Sequence, residues 1–343
     1  MNYLENIKEV LRKYLSDKRD SVSLRIEDIT QFTQALETEI YSFLEIFTID
    51  KKEIISKLVL RMYPKSYLGF GVKHEYNIMQ NLLKEGFQVP SVLFFNEKEE
   101  ILGKPFMIME FIEGETLNDK FSKASPDQIP NLMKQFTSLM VNLHSLDWKK
   151  ITTGKTQIDI NNPYFATDCS IDNLCSITEK FNNKEYQATI EWLQDQKVNY
   201  PVENYSIIHK DFHPLNIIVA ENNSLFVIDW SQARVSDIRD DIAQTSFLFN
   251  IFGGSQLNPL FFKYYEDLSG NSIGDLKFYE VTSAISLLIF LTLQIGNSDL
   301  NENQAKLMSI IQILNPMLQS AYNYLIERTN IRIPEFETKL GLK

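Results

Sequence analysis

The chain has 343 residues, 44% of them apolar, enough for a full hydrophobic core and about two domains, which excludes disorder as the dominant state. Its 34 Lys and Arg against 45 Asp and Glu leave a net charge of −11, without the basic character that nucleic-acid binding requires, so no nucleic-acid partner is expected. Cys169 and Cys175 are too few for a disulfide framework, and with the histidines at 74, 144, 209 and 213 they make no zinc pattern; they read as reduced thiols of a cytoplasmic protein.

The first segment, Met1 to Asp20, carries charges throughout and has no apolar core, so it does not read as a signal peptide. Tyr3, Leu4, Ile7, Val10, Leu11, Tyr14 and Leu15 recur at helical spacing and predict an amphipathic helix. From Ile29 to Arg61 the pattern turns strand-like, with runs at Ile40–Leu44 and Lys57–Arg61 on either side of the charged Asp50 to Glu53. A helix is predicted over Val72 to Glu85, closed by Gly86. Two more strands, Pro90 to Phe95 and Pro105 to Phe111, flank a charged turn at Glu97 to Glu100.

The composition shifts near residue 111, so residues 1–110 read as a small β-rich lobe with a leading helix and 111–343 as a larger helical lobe, an α+β chain. Ser125-Pro126 marks a helix start, with Leu132, Phe136, Leu139, Met140 and Leu143 as its apolar face. A loop-rich stretch, Thr152 to Asn173, precedes a helix ending near Val198. Asn216 to Ala220 and Leu225 to Asp229 then form a hairpin, and Asp240 to Arg328 is mostly helix. The uncharged stretches Ile242 to Phe262 and Val281 to Ser298 are interrupted by Gly, Pro and small polar residues, so they read as buried helices rather than membrane spans.

Chemistry concentrates in Ile207–Asn216 and the hairpin that follows. A His-x-Asp-x-x-x-x-Asn run sets the Asp211 carboxylate and the Asn216 carboxamide at the two ends of a tight loop, and Asp229 ends the second hairpin strand. Because a hairpin folds its ends together, Asp229 is expected to return close to Asn216. Two hard oxygen ligands so paired suit Mg²⁺, which takes few protein ligands and completes its shell with phosphate and water. Asp211 is then expected beside the metal, accepting a proton from a substrate hydroxyl.

This spacing resembles the aminoglycoside phosphotransferase family, kinase-like phosphotransferases of small molecules. The family's His-Gly-Asp-x-His-Pro-x-Asn and Ile-Asp-Trp/Phe are matched at His209, Asp211, His213, Pro214, Asn216, Ile228, Asp229 and Trp230, with Lys210 in place of the glycine. Leu143–Trp148 is similar to the family's Leu-His-x-x-Asp helix end, in which His144 reads as a buried core histidine. Gly103–Gly114 resembles the strand and hinge that hold the adenine ring, which implies that the backbones of Glu110 and Ile112 pair with the base and that Met109 lines the pocket behind it. Asp240-Asp241-Ile242-Ala243 resembles the Asp-Leu-Ala after the metal Asp, which makes Asp241, with His209, a structural support of the catalytic loop.

The resemblance further implies a bilobal protein-kinase-like fold and Mg²⁺-dependent transfer of the γ-phosphate of ATP, or of GTP, to a hydroxyl of a small molecule. It assigns Arg61 to the strand cation that contacts the phosphates and Glu75 to its helix partner. The stretch Thr33 to Ile40 occupies the place of the phosphate loop without a glycine, and Glu37 and Glu39 within it would repel phosphate if turned inward. That loop and Arg61 motivate an alternative, a weak or inactive pseudokinase acting as a nucleotide-binding module. Acceptors of related enzymes include aminoglycosides, macrolides, choline, homoserine, sugars and hydroxyacids. The wording of the first lobe leans toward the hydroxyacid-kinase-like branch, and Glu266, Asp267, Asp275 and Glu280 are candidate carboxylates for a cationic substrate.

Overall fold

The opening helix, α1 (Tyr3–Arg19), follows from a four-residue recurrence of apolar side chains: Ile7, Leu11 and Leu15 share one face and all three are buried. The computed structural model describes residues 3–32, 38–64, 70–152, 158–296 and 304–340. Positions 33–37, with most of the glycine-free stretch and Glu37, lie outside the described residues. The chain divides into two units. One comprises Met1–Lys123, Lys149–Thr153 and Pro214–Ala233, the other Ala124–Trp148, Gly154–His213 and Arg234–Lys343.

In the first unit, β1 (Arg25–Phe32), β2 (Glu39–Ile49), β3 (Lys52–Met62), β4 (Val92–Asn96) and β5 (Phe106–Glu110) form one antiparallel sheet in the order β1-β2-β3-β5-β4. Ile49 faces Lys52 across the β2–β3 turn, whose two residues, Asp50 and Lys51, both have positive φ, 50° and 65°. A two-residue loop with this hand matches the right-handed twist of the strands it joins. The face of α1 packs with Tyr41, Phe43, Leu58, Leu60, Phe106 and Ile108 into a single core. Helix α2 (Val72–Lys84) ends as expected ahead of Gly86, which takes the left-handed φ of 81°.

A second sheet in this unit joins β6 (Gly114–Thr116) to the hairpin strands Ile217–Ala220 and Leu225–Val227. The hairpin strands are shorter at their outer ends than the sequence suggests. Asn216 closes a short helical turn, Pro214–Asn216, and Asp229 leaves the strand path at φ 64°. Gly114 lies against Ala220, and a Cβ there would fall onto the Val219 carbonyl, 2.9 Å from its carbon and 3.1 Å from the Cα of Ala220. Both contacts are with backbone and cannot swing aside. Gly114→Ala should therefore destabilise the protein by about 1–3 kcal/mol; an unchanged midpoint in urea unfolding would show that β6 and the hairpin separate without loss.

The second unit is helical, with Ile129–His144, Phe165–Lys180, Gln187–Gln196, Ile238–Ile251, Asn258–Ser269, Lys277–Gly296 and Gln304–Thr329. Its core gathers Ile190, Leu193, Phe247, Phe278, Ile285 and Leu325. The helix expected to start at Ser125 starts at Ile129, with proline in its first turn, where a missing N–H costs nothing. The uncharged run after Ile242 is two helices, because Gly253 turns left-handed at φ 76° and Pro259 opens the next helix. Tyr205–Ile208 and Arg234–Asp237 pair antiparallel. The latter strand escapes sequence reasoning, since Arg-Val-Ser-Asp carries a single apolar side chain. Among the described residues, no helix is long and apolar enough to cross a membrane.

Candidate active site

The first unit holds one group of predicted site residues. Arg61 lies on β3 between Ile40 of β2 and Met107 of β5, and it is buried. A buried guanidinium is tolerated only where carboxylates engage it. Arg61 divides its fork between two, with Nη1 donating to Glu75 Oε1 at 3.0 Å and Nη2 to Asp229 Oδ1 at 2.8 Å. Glu75 comes from the first turn of α2, and its second oxygen accepts the Tyr63 hydroxyl at 2.7 Å. Burial pushes the Glu75 carboxyl above its usual range; Arg61 opposes that rise and Asp229 adds to it. Tyr63 escaped the sequence analysis, although it stands two residues past Arg61 and so on the same side of the extended chain.

Asp229 also accepts from Ser231 Oγ at 2.7 Å, and its side chain is about one-third exposed at 32%. The Ile228 N–H donates to the Asn216 carbonyl at 2.9 Å, which ties Asn216 to the residue preceding Asp229. Trp230 is fully buried, donates Nε1–H to the Val227 carbonyl at 2.9 Å and meets Phe87 edge-on at 5.8 Å. Met109 is buried on β5, and Glu110 ends that strand with its own N–H donated to the Ser91 carbonyl at 2.9 Å. Any pairing of Glu110 with a base therefore falls to its carbonyl. Ile112 is half-buried just beyond the strand.

Asn216 and Asp229 offer a carboxamide and a carboxylate, and among the described residues no group of three or more His, Cys, Asp or Glu could hold a metal ion. Two hard oxygen donors fit Mg²⁺, which retains water and phosphate in most of its shell, and do not fit zinc.

The second unit holds the other predicted residues. Asp211 is about one-third exposed at 37%, with His213 Nε2 3.4 Å from its Oδ1. The Asp211 N–H donates to His209 Nδ1 at 3.2 Å, which leaves the ring proton of a neutral His209 on Nε2. His209 and Lys210 donate their backbone N–H groups to the two oxygens of Asp241, at 2.9 Å and 2.7 Å. His144, buried as expected, also reaches this carboxylate. Its Nε2 donates to Asp241 Oδ2 at 3.1 Å, and its Nδ1 lies within hydrogen-bond distance of the Tyr265 hydroxyl at 2.7 Å. Burial would raise the Asp241 carboxyl, but His144 and the His209 amide hold it below the usual range, so it stays ionised.

Each carboxylate considered for a cationic substrate has a partner within the chain, though Glu266, Asp267 and Asp275 are exposed. Glu280 binds Arg328 through both oxygens, at 2.7 Å and 3.1 Å, and Asp275 accepts the Tyr200 hydroxyl at 2.7 Å. Glu266 accepts the Ile273 N–H at 3.0 Å, and Asp267 pairs with Lys263 at 3.6 Å.

The sequence profile of the phosphotransferase enzyme family matches residues 40–273. Mouse acyl-CoA dehydrogenase family member 10 is 23% identical over 201 residues, which cover 56% of this chain and 18% of that protein. Human acyl-CoA dehydrogenase family member 11 is 22% identical over 208 residues, 56% of this chain and 25% of that protein. The chain thus spans about a fifth to a quarter of the length of the curated relatives it matches. Among solved structures, a protein of Ralstonia eutropha assigned as an aminoglycoside phosphotransferase superposes with a TM-score of 0.62 at 17% identity, covering 93% of this chain and 98% of that one. The ethanolamine kinase of Plasmodium vivax gives 0.60 at 17% identity, with 97% and 88% covered. The aminoglycoside phosphotransferase APH(4)-Ia, in a ternary complex with ADP and hygromycin B, gives 0.50 at 17% identity, with 88% and 98% covered. At these identities the likeness establishes the kinase-like fold.

Proposed function

The chain belongs to the phosphotransferase enzyme family, and from that premise we propose that it transfers the γ-phosphate of ATP or GTP to a hydroxyl group of a small molecule. The observation that carries this reading is the Arg61 fork, a buried cation held by Glu75 and set 2.8 Å from the carboxylate of Asp229. Phosphoryl transfer depends on positioning and charge neutralisation, and a rigidly held arginine beside a metal-type carboxylate suits both needs.

In this reading Arg61 grips the phosphates, Glu75 orients it, and Asn216 and Asp229 hold Mg²⁺. Bound there, the metal would neutralise charge on the phosphate oxygens. Asp211 accepts the proton of the acceptor hydroxyl, whose oxygen forms the new bond to the γ-phosphorus as the bond to the bridging oxygen breaks. Met109, the Glu110 carbonyl and the backbone of Ile112 receive the base, while His209 and Asp241 support the loop. Short hydroxyacids are the acceptors we put first. This order follows the wording of the first lobe, Leu60-Arg61 and Gly103–Phe111, which resembles the hydroxyacid-kinase-like branch. The two cysteines form no disulfide, in keeping with a cytoplasmic protein.

The test offers the protein Mg²⁺ with ATP or GTP and a panel of hydroxyacids, sugars, homoserine, choline, ethanolamine, macrolides and aminoglycosides. A gain of one phosphate in product mass is expected for at least one acceptor. No product with intact nucleotide binding would favour the nucleotide-binding module, and no nucleotide binding would overturn both readings.

A further inference from the structure

The motif that the catalytic loop resembles has glycine at position 210, and Lys210 stands there with φ 66°, in the left-handed region that a residue bearing a Cβ enters at a cost. The side chain there makes contacts no glycine could make, although burial pulls its ammonium below the usual lysine range while Asp240 opposes that fall. The Lys210 side chain runs into the interior of its unit, where the ammonium forms an ion pair with Asp240. It also lies 3.4 Å from both the Asp240 carbonyl oxygen and Ser283 Oγ. Asp240 is completely buried, and its other carboxylate oxygen accepts from Arg234 Nη2 at 2.9 Å and Ser236 Oγ at 3.2 Å. Burial would raise the Asp240 carboxyl, but Lys210 and Arg234 hold it low, so the carboxylate is ionised.

The backbone of the same residue is gripped separately, through its N–H on Asp241. Asp240 and Asp241 are consecutive in the first turn of Ile238–Ile251, a helix end capped by Asp237, which accepts the Arg239 N–H at 2.8 Å. One helix terminus therefore holds residue 210 twice, by backbone and by side chain, and the next residue is Asp211.

We propose that the Lys210–Asp240 ion pair is a positioning device for Asp211, keeping the backbone of residue 210 left-handed and so setting the direction in which the Asp211 side chain leaves the loop. This inference rests on the reading of Asp211 as the base. Lys210 acts through its neighbour and touches no substrate.

Lys210→Met keeps the length of the side chain, loses the ammonium and leaves the backbone conformation without its support. Its kcat should fall at least ~10-fold with the nucleotide KM within about twofold of wild type. Hydrogen exchange of the amides at 209–211 should quicken in the folded protein. The double variant Lys210→Gly/Asp240→Asn should recover both, because glycine takes the left-handed φ freely and asparagine calls for no counter-charge. A role in stability alone would lower the melting temperature of Lys210→Met and leave kcat per folded molecule unchanged. Wild-type kcat and exchange in folded Lys210→Met would overturn the proposal, as would a double variant no better than the single one. Should Lys210→Met not fold, Asp240→Asn removes the ion pair with little change of shape and must show the same split. If wild-type protein phosphorylated no acceptor, the functional reading would fall, while the exchange measurements would still decide whether the ion pair fixes the loop.

Discussion

Asp229→Ala is expected to abolish phosphoryl transfer, by at least ~10²-fold, and to weaken binding of Mg²⁺-nucleotide about tenfold or more. Two effects combine at this side chain. It is one of the two protein oxygens proposed to hold the metal, and its Oδ1 accepts both Arg61 Nη2 and Ser231 Oγ. Alanine removes the ligand and also releases one arm of the buried guanidinium, so the cation proposed to grip the phosphates loses part of its orientation. Asp229→Asn separates the two consequences. It keeps the size of the side chain and an oxygen that Ser231 and Arg61 can still reach, while the charge that attracts Mg²⁺ is gone, so transfer should fail although the guanidinium keeps a neutral acceptor. Calorimetry with Mg²⁺-ATP reads the binding, and affinity equal to wild type in Asp229→Ala would overturn the metal assignment.

Asp211→Asn should separate binding from catalysis. Asparagine preserves shape but cannot accept the hydroxyl proton, so kcat on the true acceptor should drop ~10²-fold or more. The affinity for Mg²⁺-nucleotide should stay within about twofold, because Asp211 is assigned no contact with metal or base. The loop itself should survive the change. His209, Lys210 and Asp241 hold it through backbone amides and an interior carboxylate, and the Asp211 N–H that meets His209 is unaltered. Turnover at the wild-type rate would refute the mechanism, since a substrate hydroxyl would then need no carboxylate at this position.

The two variants probe residues whose legibility in the sequence differs in kind. The hairpin after Asn216 was readable because its strands and the Glu221–Ser224 turn form a local pattern, and the family was readable because His209, Asp211, Asn216 and Asp229 recur at fixed intervals. The two-sidedness of Arg61 was not. Its bond to Asp229 joins residues 168 positions apart, and no spacing rule reaches across that distance. The same holds for Glu280, whose charge suggested an exposed binding group until Arg328 was found on both of its oxygens, 48 positions away.

The sequence by itself determined the α+β class, the helical face of Ile7, Leu11 and Leu15, the strand runs of the sheet and the resemblance that the family match bears out. These features repeat over a few residues, and their period is written in the order of apolar side chains. Only the tertiary structure decided the strand order β1-β2-β3-β5-β4, the pairing of Tyr205–Ile208 with Arg234–Asp237, and the partner of Lys210. A lysine in place of glycine reads in the sequence as a defect in a motif. In the fold its ammonium meets a completely buried carboxylate 30 residues away, a pairing that no local period of apolar side chains encodes.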